Sequence, residues 1–322
     1  MAVLNDTTNA SMAQRRVGVY AGLLLAALAA LALAGWASPS FLTFDNLFVV
    51  IRAASITGIV AVGMSFVTIS GNLFALSAGQ LSALLGIVYA LLVRANLGVP
   101  LGCLGAFGVA TLAGALQGYA ITIIRNPIIT TIAFGAVFAG IAAFVSGNGN
   151  IRVHSQAATW IGTVRPLGVP IQSWVFIAWA LFGTFLSKRT RIGRLITLSG
   201  ANRRTAAATG LRVDLSTVTA LVMLGLSCAI VALFAVSQFS QAKADMFAGL
   251  DIDCIASVLV GGIALRGGQG SPLQAALGAV LIALLQNFLL LMSLPTGVRF
   301  AIVGTLVVVA TSGFHLLQRR GR

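Results

Sequence analysis

The chain has 322 residues, of which 58% are hydrophobic and only 8% charged, with a formal net charge of +14. A water-soluble domain carries about 25% charged residues to keep its surface wet, so a soluble globular fold is excluded and lipid is the solvent that fits. The positive charge does not point to nucleic acid, because the basic residues punctuate apolar runs instead of interleaving with aromatics, as topology signals do.

The first residues, Asn5 to Gln14, are polar and lead through Arg15 and Arg16 into an apolar run over 17–37. That run is too long for the apolar region of a cleaved signal peptide and long enough to span a bilayer, so it reads as a retained first helix. Further apolar runs follow at 47–70, 76–93, 98–122, 127–145, 171–187, 215–237, 248–265, 273–293 and 300–317. None shows the alternation of a barrel strand. Each must therefore satisfy its backbone internally as helix.

The fold expected is an all-α polytopic membrane protein of about ten transmembrane helices. If the N-terminus is cytoplasmic, the outer segments and their edges hold Arg52, Arg94, Arg152, Arg165, Lys243 and Arg299, six of the twenty basic residues. The remainder fall inside, which favours both termini cytoplasmic. The expected organisation is a cytoplasmic tail over 1–16, one transmembrane domain over 17–317, and a cytoplasmic tail over 318–322. Two connections stand out: an external polar segment, 146–170, and a cytoplasmic loop, 188–214, with seven basic residues. Loops of that length are usually functional, although orientation signalling alone would explain the charge.

Several chemistries are missing. The two lysines, Lys188 and Lys243, do not follow a glycine, so no phosphate-binding GxxxxGK loop exists. There is no Glu, and His154 and His315 stand alone, so neither a metal site nor a Ser/His/Asp set is suggested. Asp251 and Asp253 are the best pair for an intramembrane hydrolase, but their spacing puts them on different faces of a helix. Cys103, Cys228 and Cys254 lie in apolar runs without CxxC spacing and read as small core residues. No catalytic residue, cofactor or metal is expected.

Two glycine-rich stretches interrupt the helical pattern. One runs from Ile69 to Gln80 and holds Gly71, Asn72, Ser77 and Gly79; the other runs from Val260 to Pro272 and holds Gly261, Gly262, Gly267, Gly268 and Gly270. Broken helices at membrane depth are tolerated where protein or a water-filled cavity surrounds them, and in transporters they mark the substrate path. Close helix packing through small residues is the alternative for any single glycine, and the better reading for Gly102, Gly105, Gly108 and Gly114. Asp253 is the acid singled out, either on a path or paired with Arg266 or a partner chain.

These stretches resemble the permease family of ribose, galactose and related ABC importers. Gly63 through Gly79 is similar to that family's G-M-T-F-V-I-I-x-G-G-I-D-L-S-V-G, and Asp251 through Gly270 to its E-L-D-A-I-A-A-V-V-L-G-G-x-x-L-x-G-G-x-G. Asn126 through Thr131 resembles its P-P-F-I-V-T. Thr190 through Arg194, Ser199 through Asn202 and Ala206 through Leu211 resemble its cytoplasmic T-R-x-G-R, G-x-N and A-A-x-x-x-G-I. The likeness runs from about residue 47 to 312. The chain departs from the pattern where the first motif has its Asp, reading Phe74-Ala75 with one extra residue, and at Arg203, Arg204 and Thr205, where an acid is often seen.

The resemblance implies a permease subunit in a bacterial inner membrane that moves a monosaccharide or related small polar solute. It implies two permease chains on cytoplasmic ABC ATPase subunits, with a periplasmic solute-binding protein delivering the ligand. It makes Gly71, Asn72, Ser77, Gly79, Asp253, Gly261, Gly262, Gly267, Gly268 and Gly270 candidates for the path. Arg191, Gly193, Gly200, Asn202, Ala206, Ala207 and Gly210 become candidates for ATPase coupling in the 188–214 loop. A branched-chain amino acid permease is the nearest alternative. An ion-coupled secondary transporter is the alternative of another class, and would be marked by buried acids in several central helices.

Overall fold

The computed structural model describes Phe41 and residues 43–153, 155–299, 301–306 and 308. The expected first span, both tails, His154, His315 and the last span beyond 308 lie outside the described residues.

The helices, in order, are α1 (Phe44–Ile69), α2 (Ala78–Arg94), α3 (Gly98–Ile124), α4 (Pro127–Ser146), α5 (Gln156–Thr163), α6 (Ile171–Arg189), α7 (Arg191–Ala201), α8 (Arg203–Ala208), α9 (Val213–Phe239), α10 (Leu250–Val260) and α11 (Pro272–Leu291). A shorter apolar helix, Thr296–Leu306, follows. Among the described residues five helices, α1, α3, α4, α9 and α11, are long and apolar enough to cross a membrane. The run at 248–265 differs from expectation: its helix α10 is only 11 residues long, because Gly262, just beyond it, takes left-handed backbone. The segment 188–214 is likewise no open loop but folds into α7 and α8.

The packing is that of a lipid-solvated bundle. On α3 the buried positions are Gly102, Ala106, Ala110, Ala113, Gly114, Gln117, Gly118 and Ile121, while Leu101, Leu104, Leu112, Leu116 and Ile123 are exposed. Large apolar side chains outward and small ones inward would be unfavourable in water. In lipid it is favourable, because acyl chains solvate Leu and close backbone approach supplies the attraction between helices. Gly114 and Gly118 of α3 meet the Leu221 and Val218 backbone of α9, and Gly225 of α9 meets the Ala110 carbonyl in return. Helix α9 is central, packing on α1, α2, α3, α5 and α7, while α11 packs on α1, α6 and α10.

The bundle has two distinct ends. At one, a two-residue antiparallel ribbon pairs β1 (Ile151–Arg152) with β2 (Gln241–Ala242), in the register Ile151 to Ala242. Ser237 fixes α5 beside that ribbon, accepting the Gly162 N–H at 2.7 Å and donating to the Ala158 carbonyl. At the other end α1 stops at Ile69, α6 turns into α7, and the second glycine stretch closes against both. Asn46 of α1 and Asn287 of α11 pair across the bundle, their amides exchanging hydrogen bonds of 2.9 Å.

Candidate functional site

Both glycine stretches break helices. After Ile69 the chain is non-helical until Ala78, with Gly71 at φ 84° and Leu73 at φ 58°. A backbone leaving a helix inside an apolar bundle must find other partners, and local side chains supply them. Thr68 donates its hydroxyl to the Leu73 carbonyl at 2.7 Å, and the Ala75 N–H points at the Met64 sulfur at 3.3 Å. Buried Asn72 donates to Ser70 Oγ at 2.8 Å and to Thr217 Oγ1 of α9 at 3.1 Å.

Ala75 lies beside Met64, five residues before the end of α1, so the chain has climbed back about 7.5 Å into the bundle. Helix α2 therefore begins at depth rather than at the bundle end. Its Ala78 carbonyl accepts from the Cys228 thiol, midway along α9. Ser77, just before α2, accepts from Gln117 Nε2 at 2.6 Å, and the Gly79 N–H donates to Asp251 Oδ1 of α10 at 2.9 Å.

The second break runs from Gly261 to Ser271. Gly262, Gly267, Gly268 and Gly270 all have positive φ, which a side chain would resist. Gly261 is set differently: it packs on the Gln274 carbonyl of α11, the close-packing alternative weighed for these glycines. Gly278 of α11 similarly abuts the Ser257 carbonyl of α10.

The breaks converge with the 188–214 segment. The Gly268 N–H donates to the Ile69 carbonyl at 2.8 Å. A Cβ on Gly267 would lie 2.7 Å from Gly71 Cα and 2.8 Å from the Gly200 carbonyl oxygen. A Cβ on Gly200 would overlap the Ile69 carbonyl and lie 2.8 Å from the Gly268 nitrogen. Gly71, Gly200, Gly267 and Gly268 thus form a junction of backbone on backbone, with the Ala201 methyl beside Gly268.

Within α7 and α8 the sequence candidates divide. Gly193, Gly200 and Ala206 are buried, whereas Arg191, Asn202, Ala207 and Gly210 are exposed. Thr190 ends α6 and starts α7, donating to the Leu186 carbonyl at 2.6 Å and accepting from the Gly193 N–H at 3.1 Å. Gly193 lies against the Leu186 and Ser187 carbonyls, so α7 doubles back onto the end of α6. Asn202 caps α8, accepting from the Arg204 and Thr205 N–H groups at 3.1 Å each.

The two acids of α10 face different partners, as their spacing implies. Half-buried Asp253 accepts from Gln286 Nε2 of α11 at 2.6 Å, while Arg266 is exposed. Asp251 is buried against the start of α2. Sequence reasoning missed Asp251 as a link between the breaks and missed Gln117 altogether. The signal for Gln117 was present, as a lone amide inside an otherwise apolar run. The reach of Asp251 to Gly79 spans 172 residues and has no local signature. Ser70, Gly71 and Asn72 are brought to the junction end, whereas Ser77 and Gly79 lie deeper in the bundle.

Over residues 46–311 the chain matches the profile of a family described as branched-chain amino acid transport system / permease component. It is 27% identical over 292 residues to the ribose import permease protein RbsC of Escherichia coli strain K12, covering 89% of this chain and 91% of that protein. It is 29% identical over 263 residues to the autoinducer 2 import system permease protein LsrD of Salmonella paratyphi B, covering 80% and 79%. Similarity of 27% over 285 residues extends to the probable ABC transporter permease protein YphD of Escherichia coli strain K12, covering 88% and 85%.

Proposed function

Because this chain belongs to the branched-chain amino acid transport system / permease component family, we propose that it forms the solute path of an ABC importer for a monosaccharide or related small polar molecule. It is a multi-pass membrane protein and a transport subunit. The solute class follows the similar import permeases, named for ribose and for autoinducer 2.

In this reading separate cytoplasmic ATPase subunits supply the energy, a periplasmic binding protein supplies the solute, and a second permease chain completes the channel. The chain crosses the membrane about ten times with both termini inside. Gly71, Asn72, Ser77, Gly79, Asp253 and the glycines of the second break lie on or beside the path. Helices α7 and α8 receive the ATPase stroke.

The observation that carries the reading is the backbone junction at Gly71, Gly200, Gly267 and Gly268. It joins the segment assigned to coupling directly to both segments assigned to the path. A displacement of α7 would act on the two breaks with no flexible side chain to absorb it.

Reconstituted uptake tests the proposal. The complete importer in vesicles should accumulate solute only with ATP, ATPase and binding protein all present. Accumulation by the lone chain under an ion gradient would overturn it in favour of a secondary transporter. A second reading, branched-chain amino acid import, is favoured by the description of the matching family. Parallel uptake of radiolabelled ribose and leucine distinguishes the two.

A further inference from the structure

We propose that Asp251 is a positioning residue for transport: its carboxylate holds the first turn of α2 and thereby ties the two broken segments together inside the bundle. The proposal rests on the importer reading above. Its premise is the depth at which α2 begins. The first N–H groups of any helix lack intrahelical acceptors, and here Ala78 and Gly79 are buried within the bundle.

The local residue that could cap α2 is engaged elsewhere. Ser77 occupies the N-cap position but makes no side-chain cap hydrogen bond, its hydroxyl being held by Gln117 at 2.6 Å. Asp251 takes the role from another helix, accepting the Gly79 N–H at 2.9 Å. A carboxylate suits that place, because the start of a helix carries partial positive charge. Asp251 also stands in the first turn of its own helix, α10, so two helix starts face one carboxyl group. A Cβ on Gly79 would lie 2.8 Å from the Phe247 carbonyl oxygen and 3.0 Å from Asp251 Oδ2. Glycine is what lets the two helix starts approach this closely.

The mechanical consequence follows from connectivity. Helix α10 runs directly into the second break at Gly261, and α2 runs out of the first. Any movement of α10 across α1 must carry the first turn of α2 with it or break the Asp251–Gly79 bond. While the bond holds, the Ser77–Gln117 pair moves too. Asp253 cannot substitute, since it is turned toward Gln286.

The test uses the complete importer, with ATPase and binding protein, in lipid nanodiscs for amide hydrogen exchange and in vesicles for uptake. Losing the acceptor leaves a buried donor unpaired, so Asp251→Ala should raise exchange in peptides covering 78–82 by about ten-fold or more. Maximal uptake should fall with the half-saturating solute concentration unchanged, because the binding protein captures the solute. Asp251→Asn keeps an oxygen at the same place and should restore most of both. Unchanged exchange in Asp251→Ala, or Asp251→Asn as impaired as Asp251→Ala, would overturn the proposal. If the alanine variant does not assemble, Asp251→Asn against wild type carries the exchange measurement: it should retain protection over 78–82, and losing it would count against the latch. Wild-type uptake tests the importer reading separately, since exchange at α2 reports on the latch even where nothing is transported.

Discussion

The amide of Gly268 donates to the carbonyl of Ile69 at 2.8 Å, joining the second glycine break to the last residue of α1 across about two hundred residues of chain. Gly200 of α7 is wedged against the same carbonyl. One peptide oxygen thus lies where both glycine breaks and α7 meet.

Gly200→Ala should be the most damaging small substitution in α7. Its methyl would overlap the Ile69 carbonyl and lie 2.8 Å from the Gly268 nitrogen. Overpacking of a rigid contact costs about 1–3 kcal/mol, and here backbone must yield. ATP-driven uptake is expected to fall about ten-fold or more, with the chain still inserted and still co-purifying with its ATPase. Wild-type uptake in this variant would show that the junction does not transmit the stroke.

Asn202→Ala should weaken α8. The amide oxygen caps two N–H groups at 3.1 Å, and loss of such a cap costs about 1 kcal/mol. With only 6 residues, α8 has little else to hold it. Reduced ATPase co-purification is expected, with recovery in Asn202→Asp, because Asp caps equally well. Equal loss in both variants would point to a direct contact by the Asn amide instead.

Gly210 has φ 79°, and a Cβ placed there would meet nothing within 4 Å. Within this chain a bulky residue would enter open space, so any loss must come from backbone strain of about 1–2 kcal/mol or from obstruction of a partner. Gly210→Leu is expected to uncouple uptake while leaving insertion intact. Gly210→Asn, which tolerates left-handed backbone, separates the causes. Full activity in the Asn variant assigns the loss to strain, equal loss in both assigns it to obstruction of a partner, and normal ATP-driven uptake in the Leu variant would remove Gly210 from coupling.

Gly278→Ala and Gly108→Ala form a matched pair for thermal unfolding in detergent. The first would drive a methyl into the Ser257 carbonyl and to 2.9 Å from the Gly261 nitrogen, and should destabilise by about 1–3 kcal/mol. Nothing lies within 4 Å at Gly108, an exposed position on α3. There the substitution should be neutral or stabilising by up to about 1 kcal/mol through helix propensity. Similar melting shifts for both would mean that α10 and α11 do not pack as closely as described.

Much of this is legible residue by residue. The runs at 98–122 and 127–145 match α3 and α4 nearly to the residue, because an apolar segment in lipid has no alternative to helix. Gly71 and Gly267 break helices as their pattern implies, and do so with positive φ. Gly261 belongs to the same pattern yet packs on a neighbouring helix, since density of glycine does not say which of them must turn. The 188–214 segment reads as a charged loop, and its two short helices are hidden because caps such as Thr190 and Asn202 leave only faint local signals.

Composition and local pattern alone establish that the chain lives in lipid, that it is helical, and where its helices break. Those properties depend on residue content and on neighbours within a turn or two. That the breaks at 70–77 and 261–271 meet each other and α7 emerges only from the packed bundle. So does the division of labour by which Asp251 serves Gly79 while Asp253 serves Gln286. Such contacts join residues far apart in the chain, and they arise from how closely the helices approach, which no local pattern encodes.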